Sequence, residues 1–352
     1  MNPLVRLILA VALGVAWYAV SRAYAAGSRV NKEDPAGLEQ RHRVTGGLRA
    51  LAFFGLVWFI ASTAVIFIFG LVIAIVAPPE NRNFGEGFAD IINSASGATG
   101  PLNPFSLWGA IGTMVATIAA VWISQRVARG KSILDLGLRP YRELPLDLLL
   151  GIFLGPLLFA IIFQLEQLLG YIVGNRGPTF NWSQLAQAFA IFICVAVSEE
   201  LVVRGYFLQV LNEVWGGAVS VVVTSLFWGF AHLLNPRATM LGSLNIVVAG
   251  LIFAYAYSLT GKLWLPIALH FSWNFAEGAI FGYPVSGFPV SGPVFEPLVN
   301  GPQEMTGGLF GPEGGLLSLL AILIGGVILY GWDKIRRPPG LENTGPGPNG
   351  QL

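Results

Sequence analysis

The chain has 352 residues, of which 54% are hydrophobic and only 11% charged; a soluble domain carries about 25% charged residues. A net charge of +1 gives no basis for a nucleic-acid partner. The single cysteine, Cys194, excludes an intrachain disulfide and any site built on several thiolates, and is expected to be a buried core thiol.

Several apolar runs exceed the roughly 18 residues needed to span a bilayer. The fold class expected is all-α, a polytopic membrane helix bundle of about 8–9 transmembrane helices. Nine spans are read, at about residues 7–21, 50–77, 104–124, 146–165, 185–211, 217–234, 239–259, 263–281 and 315–332. The first is short, and Ala23-Tyr24-Ala25 resembles a signal-peptidase site. Cleavage there would leave the Arg-rich segment that follows on the wrong side, so a retained anchor is expected. Sixteen of the 20 Lys and Arg fall on one side of this topology and four on the other. The skew implies an outside N-terminus and a cytoplasmic C-terminus, in an integral protein of a bacterial plasma membrane. The chain divides into a three-span region (1–140), a core (141–284), a Gly/Pro-rich loop (285–314), a last helix (315–335) and a disordered tail (336–352). Loop-like composition already begins at 282, and PVSG recurs at 284–287 and 289–292.

Ionisable residues inside the spans carry the functional signal. The stretch VAVSEELVVRGYFLQ (195–209) puts Glu199, Glu200 and Arg204 in an apolar run. A charge at the bilayer centre costs about 2.5–3.5 kcal/mol or more. Glu200 and Arg204 are four apart and can pair, while Glu199 points roughly 100° away. Glu199 is thus left free to act as a general base. The competing reading is an ion-pair network that only joins helices. His42 lies in a basic segment, whereas His232 and His270 lie in apolar spans. Asn274 and Glu277 follow His270 at i+4 and i+7, forming one polar stripe, and Trp228 stands four residues before His232 as a pocket wall. Glu199, His232, His270 and Asn274 converge only if spans five, six and eight pack together. Such a cluster suits water activation, with His270 and Asn274 facing an oxyanion. Glu199, His232 and His270 are equally a ligand set for a divalent metal such as Zn. The sequence leaves both chemistries open, and the HExxH spacing is absent.

These residues resemble the CPBP intramembrane proteases, which include the type II CAAX prenyl endopeptidases and the bacterial Abi-type relatives. The motifs EExxxR, FxxxH and HxxxN read here as Glu199-Glu200-Leu-Val-Val-Arg204, Trp228-Gly-Phe-Ala-His232 and His270-Phe-Ser-Trp-Asn274. LGLRP (136–140) and GKLWLPIALHFSWNF (261–275) are similar too, so the likeness covers about 136–282. Trp228 departs from the usual Phe. The resemblance implies peptide-bond hydrolysis within the membrane. Glu199 would be the water-activating base, with Glu200 and Arg204 in support. His232 would position the water, and His270 with Asn274 would form the oxyanion site. It also implies a membrane protein or peptide as substrate, the lipid bilayer as surroundings, and the metalloprotease type often described for the family. Some relatives cleave prenylated CAAX proteins; others are linked to peptide processing or bacteriocin immunity.

The rival classes are an ion- or proton-coupled transporter and a non-catalytic immunity-type protein on the same fold. A transporter would carry internal repeats and paired broken helices, which the sequence lacks. One difficulty is depth. His270 lies about seven residues into its span and His232 about fifteen into its own, from the same side. The two meet if the spans are tilted, broken or start at different heights around a water-filled cavity, and Gly216-Gly217 and Pro266 are the candidate places for such irregularity. Glu277 is expected to line the outer part of the same cavity.

Overall fold

The structure, a computed structural model, describes residues 35–76, 104–177 and 181–336. The first expected span, the Ala23-Tyr24-Ala25 segment and the tail beyond residue 336 lie outside them. Eight helices build the bundle of the described residues: α1 (Pro35–Val76), α2 (Pro104–Ala128), α3 (Leu144–Leu168), α4 (Trp182–Trp215), α5 (Gly217–Ala231), α6 (Met240–Thr260), α7 (Trp264–Asn274) and α8 (Leu316–Arg336). All but α7 contain a stretch long and apolar enough to cross a membrane. The protein is therefore a polytopic helical membrane protein. Large apolar side chains such as Phe153, Leu168, Val327 and Ile335 cover its surface, because lipid demands no polar exterior.

α1 and α4 run beyond the expected bounds in ways that matter. α1 begins at Pro35 rather than near residue 50; a proline in the first turn forfeits no helical hydrogen bond. α4 continues to Trp215 and stops where Gly216 takes φ 82°, a conformation only glycine adopts without strain. This extension changes the meaning of Arg204. Eleven residues of helix follow it, and it is buried inside the bundle.

Small residues set the helix spacing. Gly151 and Gly155 on α3 face Ala268, Leu269, Ser272 and Trp273 on α7 so closely that an added methyl would strike the α7 backbone. Ser272 Oγ donates to Gly151 O across this seam at 2.6 Å. Gly229 on α5 lies against Ser243 and Val247 of α6, and Gly250 of α6 lies against Ser225 of α5. Close backbone approach of this kind replaces the hydrophobic drive that is missing between helices in lipid.

One end of the bundle is basic. Glu213 pairs there with Arg129 and Lys131, the Leu263 N–H donates to Gly137 O, and Asp147 binds Arg336. At the other end lies the stretch 282–314, expected to be an irregular loop. Its backbone is irregular, yet it is packed. A two-stranded antiparallel ribbon pairs β1 (Ile172–Asn175) with β2 (Pro297–Val299). Tyr283 and Phe310 are buried, and the Asn245 side-chain amide donates to Glu313 O and Gly315 O, both at 2.9 Å. Gly311, at φ 101°, lets the chain fold against Pro284 and Glu277. Composition signalled the turns but not the apolar and polar anchors that hold them down.

Candidate active site

The three motif elements meet in the middle of the bundle. α4 delivers Glu199 and Glu200, and at Leu201 its hydrogen bonding widens into a π turn, Leu201–Phe207, before α-helix resumes. Glu200 is fully buried and Arg204 is 1% exposed. The expected i,i+4 pair is present, with Arg204 Nη1 donating to Glu200 Oε1 at 2.9 Å. Arg204 is also enclosed by aromatic faces, 4.3 Å from the Trp228 ring centroid and 5.2 Å from that of Phe253 on α6. Its other nitrogen reaches Gly250 O at 3.4 Å. The same Glu200 Oε1 receives His270 Nδ1 at 3.0 Å. His270 thus leans on the second carboxylate of the motif, a link between α4 and α7 that the spacing could not indicate.

Glu199 keeps partial exposure where Glu200 has none. It is not free of contacts, however. Trp228 Nε1 donates to Glu199 Oε2 at 2.6 Å. Trp228 was expected as a wall, and its ring does pack edge-on against His232, His270 and Phe253, with centroids 5.3, 5.7 and 5.6 Å apart. The indole N–H adds a polar function that the usual Phe of the motif lacks. Glu199 also lies within electrostatic reach of His232, His270 and Arg204.

His232 is placed by the way α5 ends. Its backbone N–H turns to Gly229 O, opening a 3-10 turn, His232–Leu234. Trp228 O thereby loses its normal i+4 amide partner and instead accepts from His232 Nδ1 at 2.7 Å. A carbonyl can only accept, so Nδ1 carries the hydrogen. In the neutral ring Nε2 is then left as a free acceptor.

The depth difficulty is settled by which residues meet: Trp228, in the last turn of α5, packs against His270 partway along α7. Gly216 supplies one of the expected breaks. Pro266 does not, because it lies in the first turn of α7, where no N–H is needed. The irregularity of that span comes later, as a second π turn, Phe275–Ile280, directly after Asn274. One π turn thus lies within the first motif, carrying Arg204, and the other directly follows the third; π turns are common at functional sites.

Side-chain contacts bring Glu199, Glu200, Arg204, Trp228, His232 and His270 into one cluster. Asn274 is buried on α7, one turn beyond His270. Glu277 departs from expectation. It is fully buried, so it lines no open cavity. Its neighbour is Glu313, whose carboxylate accepts from Trp273 Nε1 at 3.1 Å and from Ser286 Oγ. Phe253, which packs on Trp228, His270 and Arg204, was not legible as a site neighbour, since it belongs to no motif. The donor chemistry of Glu199, His232 and His270 suits a divalent ion, but among the described residues no three His, Cys, Asp or Glu side chains are gathered closely enough to hold one.

Residues 181–276 match the sequence profile of the family described as type II CAAX prenyl endopeptidase Rce1-like. That segment carries every residue of the cluster and omits α1 to α3 and α8. No curated protein and no solved structure matches the chain.

Proposed function

With a CAAX-type prenyl endopeptidase profile matching residues 181–276, we propose that this protein is an intramembrane endopeptidase that hydrolyses peptide bonds of membrane-associated proteins or peptides. The observation that carries the reading is the cluster itself: a partly exposed carboxylate, Glu199, beside two histidines delivered by two other elements.

Glu199 removes a proton from water as that water attacks the scissile carbonyl. His232, with Nδ1–H tied to Trp228 O, offers Nε2 as an acceptor that holds the water. His270, in its charged form, keeps Nδ1–H on Glu200 and directs Nε2–H at the developing oxyanion. Asn274 supplies a second donor one turn away. Oriented donors in a site shielded from bulk water do much of the work of such a reaction. Glu200 and Arg204 do not touch substrate. Glu200 holds His270 and opposes its charge, and Arg204 holds Glu200. Glu199 then returns its proton to the leaving amine. The basic end faces the cytoplasm in this reading.

The transporter reading gains one observation: Glu166, Glu277 and Glu313 are also buried, away from the cluster. Purified protein incubated with membrane-anchored peptides, followed by mass spectrometry, separates the two. Cleavage is expected from the wild type. Glu199→Gln keeps side-chain volume and is expected to fold normally while losing roughly 100-fold or more in turnover. Wild-type turnover in that variant removes Glu199 from the mechanism.

A further inference from the structure

We propose that Trp228 is a positioning residue for Glu199: its indole N–H holds Oε2, so that Oε1 is the oxygen presented to water. This inference deepens the endopeptidase reading and rests on it. Glu199 is half-buried, and a glutamate side chain left untethered at a partly open site moves among rotamers. The Trp228 indole is immobilised from three sides. Arg204 lies over its ring at 4.3 Å, Phe253 meets it edge-on at 5.6 Å and His270 edge-on at 5.7 Å. The residue is 7% exposed. A donor held this rigidly, 2.6 Å from one carboxylate oxygen, fixes both the rotamer and the free face of the acid. N–H to carboxylate bonds are the stronger class of hydrogen bond.

One residue therefore orients both groups that handle water. The Trp228 side chain holds Glu199, and the Trp228 carbonyl, freed by the 3-10 turn, holds His232. The hydrogen bond draws some charge from the carboxylate, so its benefit is one of geometry. A phenylalanine here would keep the aromatic contact with Arg204 and lose the tether.

The test uses the full-length protein in detergent with its tryptophan indoles labelled for NMR. The chain has ten tryptophans, and the Trp228 indole signal is the one missing from Trp228→Phe, or from Trp228→Tyr if the first variant is unstable. That signal is expected to move upfield in Glu199→Gln, because the charged acceptor is gone, while the other nine stay in place. In the peptide-cleavage assay, Trp228→Phe is expected to lower kcat roughly 10-fold or more with KM near the wild-type value. An unmoved Trp228 signal in Glu199→Gln overturns the hydrogen bond. A moved signal with wild-type kcat in Trp228→Phe overturns the positioning role. Wild-type cleavage by Glu199→Gln with a moved signal overturns the general-base reading, and the catalytic role of Trp228 with it, while leaving the contact standing.

Discussion

Glu200 and Arg204 hold opposite charges away from water with 0% and 2% side-chain exposure. Burying either one alone is unfavourable, so the pair persists only because each neutralises the other. The carboxylate is used twice on one oxygen, by Arg204 and by His270, while Glu200 Oε2 has no hydrogen-bond partner. Arg204→Ala leaves a buried carboxylate without its guanidinium and empties the space between Trp228 and Phe253. A loss of about 3–5 kcal/mol in stability is expected, seen as low yield and a lowered melting temperature in detergent. Wild-type stability in Arg204→Ala contradicts the pairing. The i,i+4 spacing was sufficient to read this pair from sequence, because both partners lie on one helix. The His270 contact was not readable, since it depends on how α7 is rotated against α4.

At the scale of elements, the positions that bring α7 to the site are glycines. Gly151 and Gly155 lie one turn apart on α3 and let α7 approach to backbone contact. A methyl group at Gly155 meets the backbone of Ser272 and Trp273, next to Asn274. Gly155→Ala is expected to destabilise the protein by about 1–3 kcal/mol through overpacking and to lower cleavage. Gly46→Ala on α1 meets nothing within 4 Å and is expected to be neutral or slightly stabilising. Thermal unfolding of the two variants side by side checks the contrast, and equal effects would remove the packing argument. Neither this pair of glycines nor its partner helix was singled out from the sequence, because small residues mark an interface only once the facing helix is known. The two π turns left no trace there either. A π turn is one widened hydrogen-bond step in an otherwise helical pattern, and apolar periodicity does not register it.

The whole molecule is closed at both ends by polar contacts between distant segments. At the basic end Asp147, fully buried on α3, accepts two bonds from Arg336 Nη1 at 2.9 and 3.0 Å, one from Trp332 Nε1 at 3.2 Å and one from Tyr141. The last helix is thereby pinned to the third. Asp147→Ala strips three donors of their common acceptor. It is expected to lower the melting temperature by several degrees and to speed hydrogen exchange at 328–336 ahead of the site. Unchanged exchange there would show that apolar packing alone holds α8. At the opposite end Glu313, Asn245 and Tyr283 fasten the Gly-rich stretch to α6, α7 and α3.

By itself the sequence determined the membrane class, seven of the spans among the described residues and the short list of ionisable residues that warranted attention. It could do so because a bilayer penalises every polar group and so makes exceptions conspicuous. Only the tertiary structure decided which of those exceptions share a site. It joined His270 to Glu200, turned Trp228 from a wall into a donor for Glu199, and moved Glu277 out of the cluster to lie beside Glu313. Each of these rests on helix rotation, on where α5 ends and on a π turn. Those are set by packing between segments far apart in the chain, which no local pattern records.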